Sequence, residues 1–203
     1  IYTLSLHDAL PILVISIKMI LPVHLYGAPV LREVGKPIEK DYPHLSELIE
    51  NMFDTMHNAD GIGLAAPQVG VPIRLFMVDI SALDTEKDFA ELRDMPKTKV
   101  FINATITERY GETVVYDEGC LSLPNISESV PRPSSIKIEY LDELFEPKSE
   151  EYTGYYARII QHEYDHIEGT MFIDRISPLR KQLIKSKLAN IVKRKITCRY
   201  KFK

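Results

Sequence analysis

Apolar side chains at Leu45, Leu48, Ile49, Met52, Phe53 and Met56 repeat with the three-and-four spacing of one helical face. That stripe predicts a core-facing helix, with Pro43 in its first turn and residues 58–61 ending it. A second helix is expected where Tyr155, Ile159, His162 and His166 share one face, with no Gly or Pro between them and Gly169 as its stop. Residues 73–80, 100–107, 112–117 and 136–141 are rich in β-branched and aromatic types and predict strands. A turn at Tyr110 and Gly111 would join the second and third, and a further strand would start from Phe145. A last helix is expected over about residues 178–195. Residues 23–38, punctuated by Gly and Pro, stay irregular, and the charged residues 81–99 form a surface insertion. Strands in runs with helices at fixed points give an α+β fold: a mainly antiparallel sheet around a central helix, with an N-terminal and a C-terminal helix.

The central helix carries Gln161-His162-Glu163-Tyr164-Asp165-His166, which reads H-E-x-x-H. Residues four apart lie one turn apart on one face, so His162 and His166 can close on a single metal ion. Glu163 is offset by one position and reaches a water on that ion without being a ligand. A catalytic site of this kind wants a third protein ligand and an open position. A histidine six residues after His166 would serve, but Phe172 stands there; Glu168 and Asp174 lie too close in sequence to come from a second helix. Upstream, Cys120 in Glu118-Gly119-Cys120-Leu121-Ser122 offers a thiolate, a good soft ligand for a transition metal. The alternative for Cys120 is a small buried hydrophobe. Gly61-Ile62-Gly63-Leu64-Ala65-Ala66-Pro67-Gln68 lets the backbone approach something closely, and it lacks the lysine of a phosphate loop. Gln68 is either structural or a donor to a developing oxyanion.

Two cysteines in 203 residues make no disulfide scaffold, which fits a reducing cytoplasm. The net charge of −4 hides an asymmetry: from residue 179 to 203 there are ten Lys/Arg and no acid, while the remainder balances at −14. The basic tail is either a site for a polyanion or a solvated helix face. Residues 9–17 are apolar but too short to span a bilayer, are interrupted by Pro11, and follow no Lys or Arg. Residues 1–18 are therefore expected to be a non-native leader whose removal costs neither activity nor stability. Residues 19–203 form one catalytic domain, with a basic helix and tail over 178–203.

The three segments, in this order, resemble the signature motifs of bacterial peptide deformylases, and the closing helix resembles that of the Gram-negative class. The likeness covers about residues 20–195. It implies a hydrolase that removes the formyl group from the formyl-methionine of new proteins and releases formate. It implies Cys120, His162 and His166 as ligands to one divalent metal, Fe(II) in the cell, with Zn, Ni or Co able to replace it. Glu163 would be general base and then acid, Gln68 and the Leu121 N–H would form the oxyanion hole, and Gly63 would lie along the substrate backbone. Ile62, Tyr155 and Ile159 either line the methionine pocket or are plain core, and Arg158 is expected at its rim. Glu118, with Arg132 as partner, is expected to brace a metal ligand. Asp165 either orients a ligand histidine or is a surface carboxylate. The expected partners are formyl-methionyl N-termini and, through the basic tail, ribosomal RNA; no membrane is expected. The competing readings are a zinc peptidase, which would hydrolyse unformylated peptides, and a binding protein with a structural metal.

Overall fold

The computed structural model describes residues 19–83 and 87–203. The expectation for residues 1–18 lies outside the described residues. Helix α1 spans Leu45–Asn58, and its apolar stripe packs on strands β1 (Gly63–Ala65) and β2 (Leu75–Asp79). Strand β3 (Thr98–Gly119) follows, then β4 (Ser127–Leu141) and β5 (Pro147–Thr153). All five strands pair antiparallel in sequence order, β1-β2-β3-β4-β5. Helix α2 (Gly154–Ile167) runs against this sheet.

The fold class stands as expected, with four local corrections. Residues 98–119 form one strand rather than two around a turn. Gly111 takes φ +82°, and the register with β4 shifts between Tyr110 and Thr113. The pair therefore absorbs the glycine as an irregularity instead of reversing the chain. Phe145 lies in a turn with φ +62°, and its strand begins only at Pro147. His44 is the cap of α1 and Pro43 precedes it. The single helix expected over 178–195 is two, α3 (Pro178–Leu183) and α4 (Lys185–Val192). Arg194, at φ +56°, stops α4, with the amides of Arg194 and Lys195 closing on Ile191 and Asn190 carbonyls at 2.9 and 2.8 Å. The chain then reverses, and Arg194 Nη2 donates to the Lys203 carbonyl at 2.9 Å. Phe202 bridges to Val23, with Val23 N–H donating to Lys201 at 2.9 Å and Lys203 N–H to Val23 at 2.9 Å.

Helix α2 is central because it is buried on nearly every side. Tyr156, Ile160 and Ile167 are fully buried in a core with Phe76, Phe101 and Ile138 of the sheet, and Phe76 stacks on Phe101 at 4.6 Å. Burying one such side chain stabilises by roughly 1.5–3 kcal/mol. The helix ends at Gly169, where φ is +67° and an added Cβ would meet the Arg32 carbonyl at 2.7 Å. That left-handed residue lets Thr170 N–H close on Asp165 at 2.8 Å. A helix held this firmly presents its polar face in a fixed orientation, and that face carries His162, Glu163 and His166.

Candidate metal centre

Two elements build the centre. The turn after β3 brings Cys120, and α2 brings His162 and His166 one turn apart. Their ligand atoms, one from each residue, lie within 4.8 Å of one another. Cys120 Sγ is 3.2 Å from His166 Nε2. Burial pushes the Cys120 thiol up, but His166 and His162 outweigh it and bring it down to about 5. At neutral pH the sulfur is then a thiolate, the form that binds metal. Two imidazoles and one thiolate suit a divalent transition ion and leave a coordination position open.

His162 is oriented by Glu118, whose Oε2 lies 2.8 Å from Nδ1. Glu118 also accepts from Arg132 Nε and Nη2 at 2.6 and 2.8 Å and from Arg158 Nη1 at 2.9 Å. Burial opposes its charge, yet Arg132 and His162 hold its carboxyl well below the usual range. An ionised Glu118 keeps the hydrogen on Nδ1 and leaves Nε2 for a cation. His166 differs: its Nδ1 is buried with no hydrogen-bond partner among the described residues.

Asp165 is not a histidine partner. Its carboxylate takes Arg132 Nη1 at 2.7 Å and Arg175 Nε at 2.6 Å, so it reaches His162 only through Arg132 and Glu118. Nor is it a surface carboxylate, being 2% exposed. Arg158 does not sit at a rim. It is buried, donating to Glu118 and to the Val130 carbonyl at 2.9 Å, because a carboxylate as deep as Glu118 draws every cation within reach. Sequence reasoning missed Arg175 and Ser122; no local pattern marks a residue whose partners come from distant elements.

Glu163 stands beside the three ligands. Its Oε2 is buried without a hydrogen-bond partner among the described residues, and burial raises its carboxyl to about 7 against the pull of His162 and His166. A cation or water at the centre would satisfy that orphaned oxygen. Gly63 lies against the same carboxylate so closely that an added Cβ would collide with it. Gln68 is held by Ala65 N–H, which donates to its Oε1 at 2.8 Å. Its Nε2 then points at Cys120 Sγ, 3.5 Å away, and at Ser122 Oγ, 3.3 Å away.

These residues open on a cleft of about 1010 Å³. Ile62, Gly63, Gln68, Tyr155, Ile159, His162 and Glu163 line it with Cys120 and Leu121, so every residue expected to touch substrate faces one space. The residues 197–200 line it too, which nothing in the sequence announced. Among the described residues no helix is long and apolar enough to cross a membrane.

Residues 20–182 match the model of the family described as polypeptide deformylase. The peptide deformylase of Christiangramia forsetii is 56% identical over 188 residues, covering 91% of this chain and 96% of that one. That of Flavobacterium psychrophilum is 52% identical over 190 residues, covering 91% and 97%. The solved peptide deformylase of Thermus thermophilus superposes with a TM-score of 0.74 at 39% identity, over 87% of this chain and 99% of that one. The chain belongs to the polypeptide deformylase family, metal-dependent hydrolases that remove the N-terminal formyl group from nascent peptides.

Proposed function

We propose that Cys120, His162 and His166 hold one divalent metal, that Glu163 moves the protons, and that Gln68 and the Leu121 N–H receive the oxyanion. The observation that supports this most is the convergence of the three ligand atoms within 4.8 Å beside a buried carboxylate with an unpartnered oxygen. The metal, when bound, supplies Lewis acidity, lowering the pKa of water from ~15.7 towards ~7. Glu163 takes the proton of the water that attacks the formyl carbon. As negative charge grows on the formyl oxygen, Gln68 Nε2 and the Leu121 N–H donate to it. Glu163 then returns the proton to the departing amine, and formate leaves. Ile62, Tyr155 and Ile159 receive the methionine side chain, and Gly63 leaves room for the substrate backbone beside Glu163.

Fe(II) is the cellular metal in this reading, and Zn, Ni or Co can take its place. The site of action is the cytoplasm, where formylated chains are made. The basic tail over residues 178–203 docks the enzyme on ribosomal RNA, supported by its ten Lys/Arg without an acid in the same stretch of sequence, although Arg180 and Lys181 also pair with Glu128 and Asp174 from elsewhere in the fold. Ribosome pelleting that is unchanged by added salt would exclude that contact.

The test is anaerobic purification, metal analysis, and formate release from a formyl-Met tripeptide beside its unformylated twin. One metal per chain with formate from the first peptide alone is expected. Metal without formate, with Cys120 shown to be reduced, would overturn the reading.

A further inference from the structure

The cleft is larger than a formyl-methionine needs. Ligand clefts for drug-sized molecules run roughly 300–1,000 Å³, and this one lies at the top of that range at about 1010 Å³. Residues 197–200 form part of its lining. This segment is built in place rather than draped. Tyr200 Oη donates to the Leu121 carbonyl at 2.6 Å, and Asn125 Nδ2 donates to the Thr197 carbonyl at 3.2 Å. Ile196, Tyr200 and Phe202 pack on the core around Val23, Leu123 and Ile126. The bridge from Phe202 to Val23 then holds the residues that follow the segment.

Two arginines line the cleft, and they differ in kind. Arg158 is buried against Glu118. Arg199 projects from the wall with its side chain 93% exposed, facing Asp60, itself 84% exposed, at 3.8 Å. An exposed pair at that separation is worth little and exchanges readily with other partners. Asp117 is the other acid near the opening, and it accepts from Ser129 at 2.6 Å.

We propose that residues 197–200 form the wall against which the peptide beyond the formylated residue lies, and that Arg199 on this wall selects that peptide by charge, favouring acidic side chains over basic ones. This inference rests on the deformylase reading above. Removing the cation leaves Asp60 and Asp117 to dominate the opening, which reverses the preference.

The experiment uses the metal-loaded full chain and formylated tetrapeptides, formyl-Met-Ala-Xaa-Ser and formyl-Met-Xaa-Ala-Ser, with Xaa as Glu, Gln or Lys. Formate release gives kcat/KM, and competition against a fluorescent formyl peptide gives affinity. At one of the two positions the Glu-to-Lys ratio is expected to exceed one in the unaltered chain. In Arg199→Glu it should fall by about tenfold, the scale of a few exposed charge contacts inverted together, with the change in KM. A ratio left within twofold at both positions overturns the proposal, and so does an equal fall on all peptides. Absence of formate from the unaltered chain would count against the deformylase reading, while the affinity ratios would still decide the wall.

Discussion

Glu118 Oε2 sits 2.8 Å from His162 Nδ1, and the same carboxylate accepts from Arg132 and Arg158 at 2.6 and 2.9 Å. One buried acid thus fixes a ligand imidazole and answers two buried guanidinium groups. Glu118→Ala would leave the buried Arg158 with backbone carbonyls alone while Arg132 keeps Asp165, and stranding one buried charge typically costs about 3–5 kcal/mol. Loss of the imidazole's orienting partner typically costs about 10–100-fold in metal affinity. Thermal unfolding and metal retained after dialysis read the two effects separately, and both should move.

Glu163→Ala should retain metal, since none of the three ligands is altered, yet lose formate release by roughly 10²–10⁴-fold. Metal analysis on the same sample as the rate measurement decides it. Gln68→Leu should be impaired by roughly 10²–10³-fold and remain measurable.

Gly63→Ala forces a methyl group into the Glu163 carboxylate. Either Glu163 is displaced or β1 moves away from α2, and both disturb proton transfer. A fall in kcat of at least ~10²-fold is expected from a misplaced catalytic group. The thermal unfolding temperature shows whether the strand has shifted as well.

The two cysteines should separate chemically once the metal is chelated. Cys120 is brought to about 5, while burial pushes the Cys198 thiol above its ordinary value. The thiolate is the nucleophile, so at pH 7 Cys120 should alkylate first with iodoacetamide. Peptide mapping gives the order, and adding back metal before the reagent should protect Cys120.

Asp174 links Arg32, Lys181 and the Met171 amide, the last at 3.0 Å. Burial raises its carboxyl, but Arg32 and the Met171 N–H outweigh it, so the folded value lies below the ordinary 3.8. A depressed carboxyl contributes stability that is present above the unfolded pKa and is lost as pH falls through the folded one. Asp174→Asn should therefore be less stable than the unaltered chain at pH 6, with the difference shrinking below about pH 4. Urea midpoints at pH 6 and pH 3 measure it.

The centre was far more legible than its surroundings. His162 and His166 could be paired from spacing alone, because helix geometry fixes which residues share a face. Cys120 and Gln68 could be named as candidates from residue type, but only the resemblance chose between their alternatives, since nothing local says that distant loops meet. Arg158 was misplaced for the same reason: its position one step off the ligand face suggested a rim, but Glu118, Val130 and Val114 arrive from two strands and enclose it. Strand β3 was split in two because Tyr110 and Gly111 look like a turn, and only the pairing with β4 shows that the ladder continues past them. Residues 197–200 carry no motif at all; their place follows from Arg194 reversing the chain and from Tyr200 finding the Leu121 carbonyl.

The Val23–Phe202 bridge closes nearly the whole chain into a loop. Closing a flexible loop of that length costs entropy that grows only logarithmically with its length. The pairing is an isolated bridge rather than a strand, and pairings so short open locally at less than the global unfolding free energy. The amides of Val23 and Lys203, which donate across the bridge, should then exchange hydrogen sooner than those of α2. Their exchange rates would act as a clock for the release of one side of the cleft, and a bound peptide resting against that side would slow it.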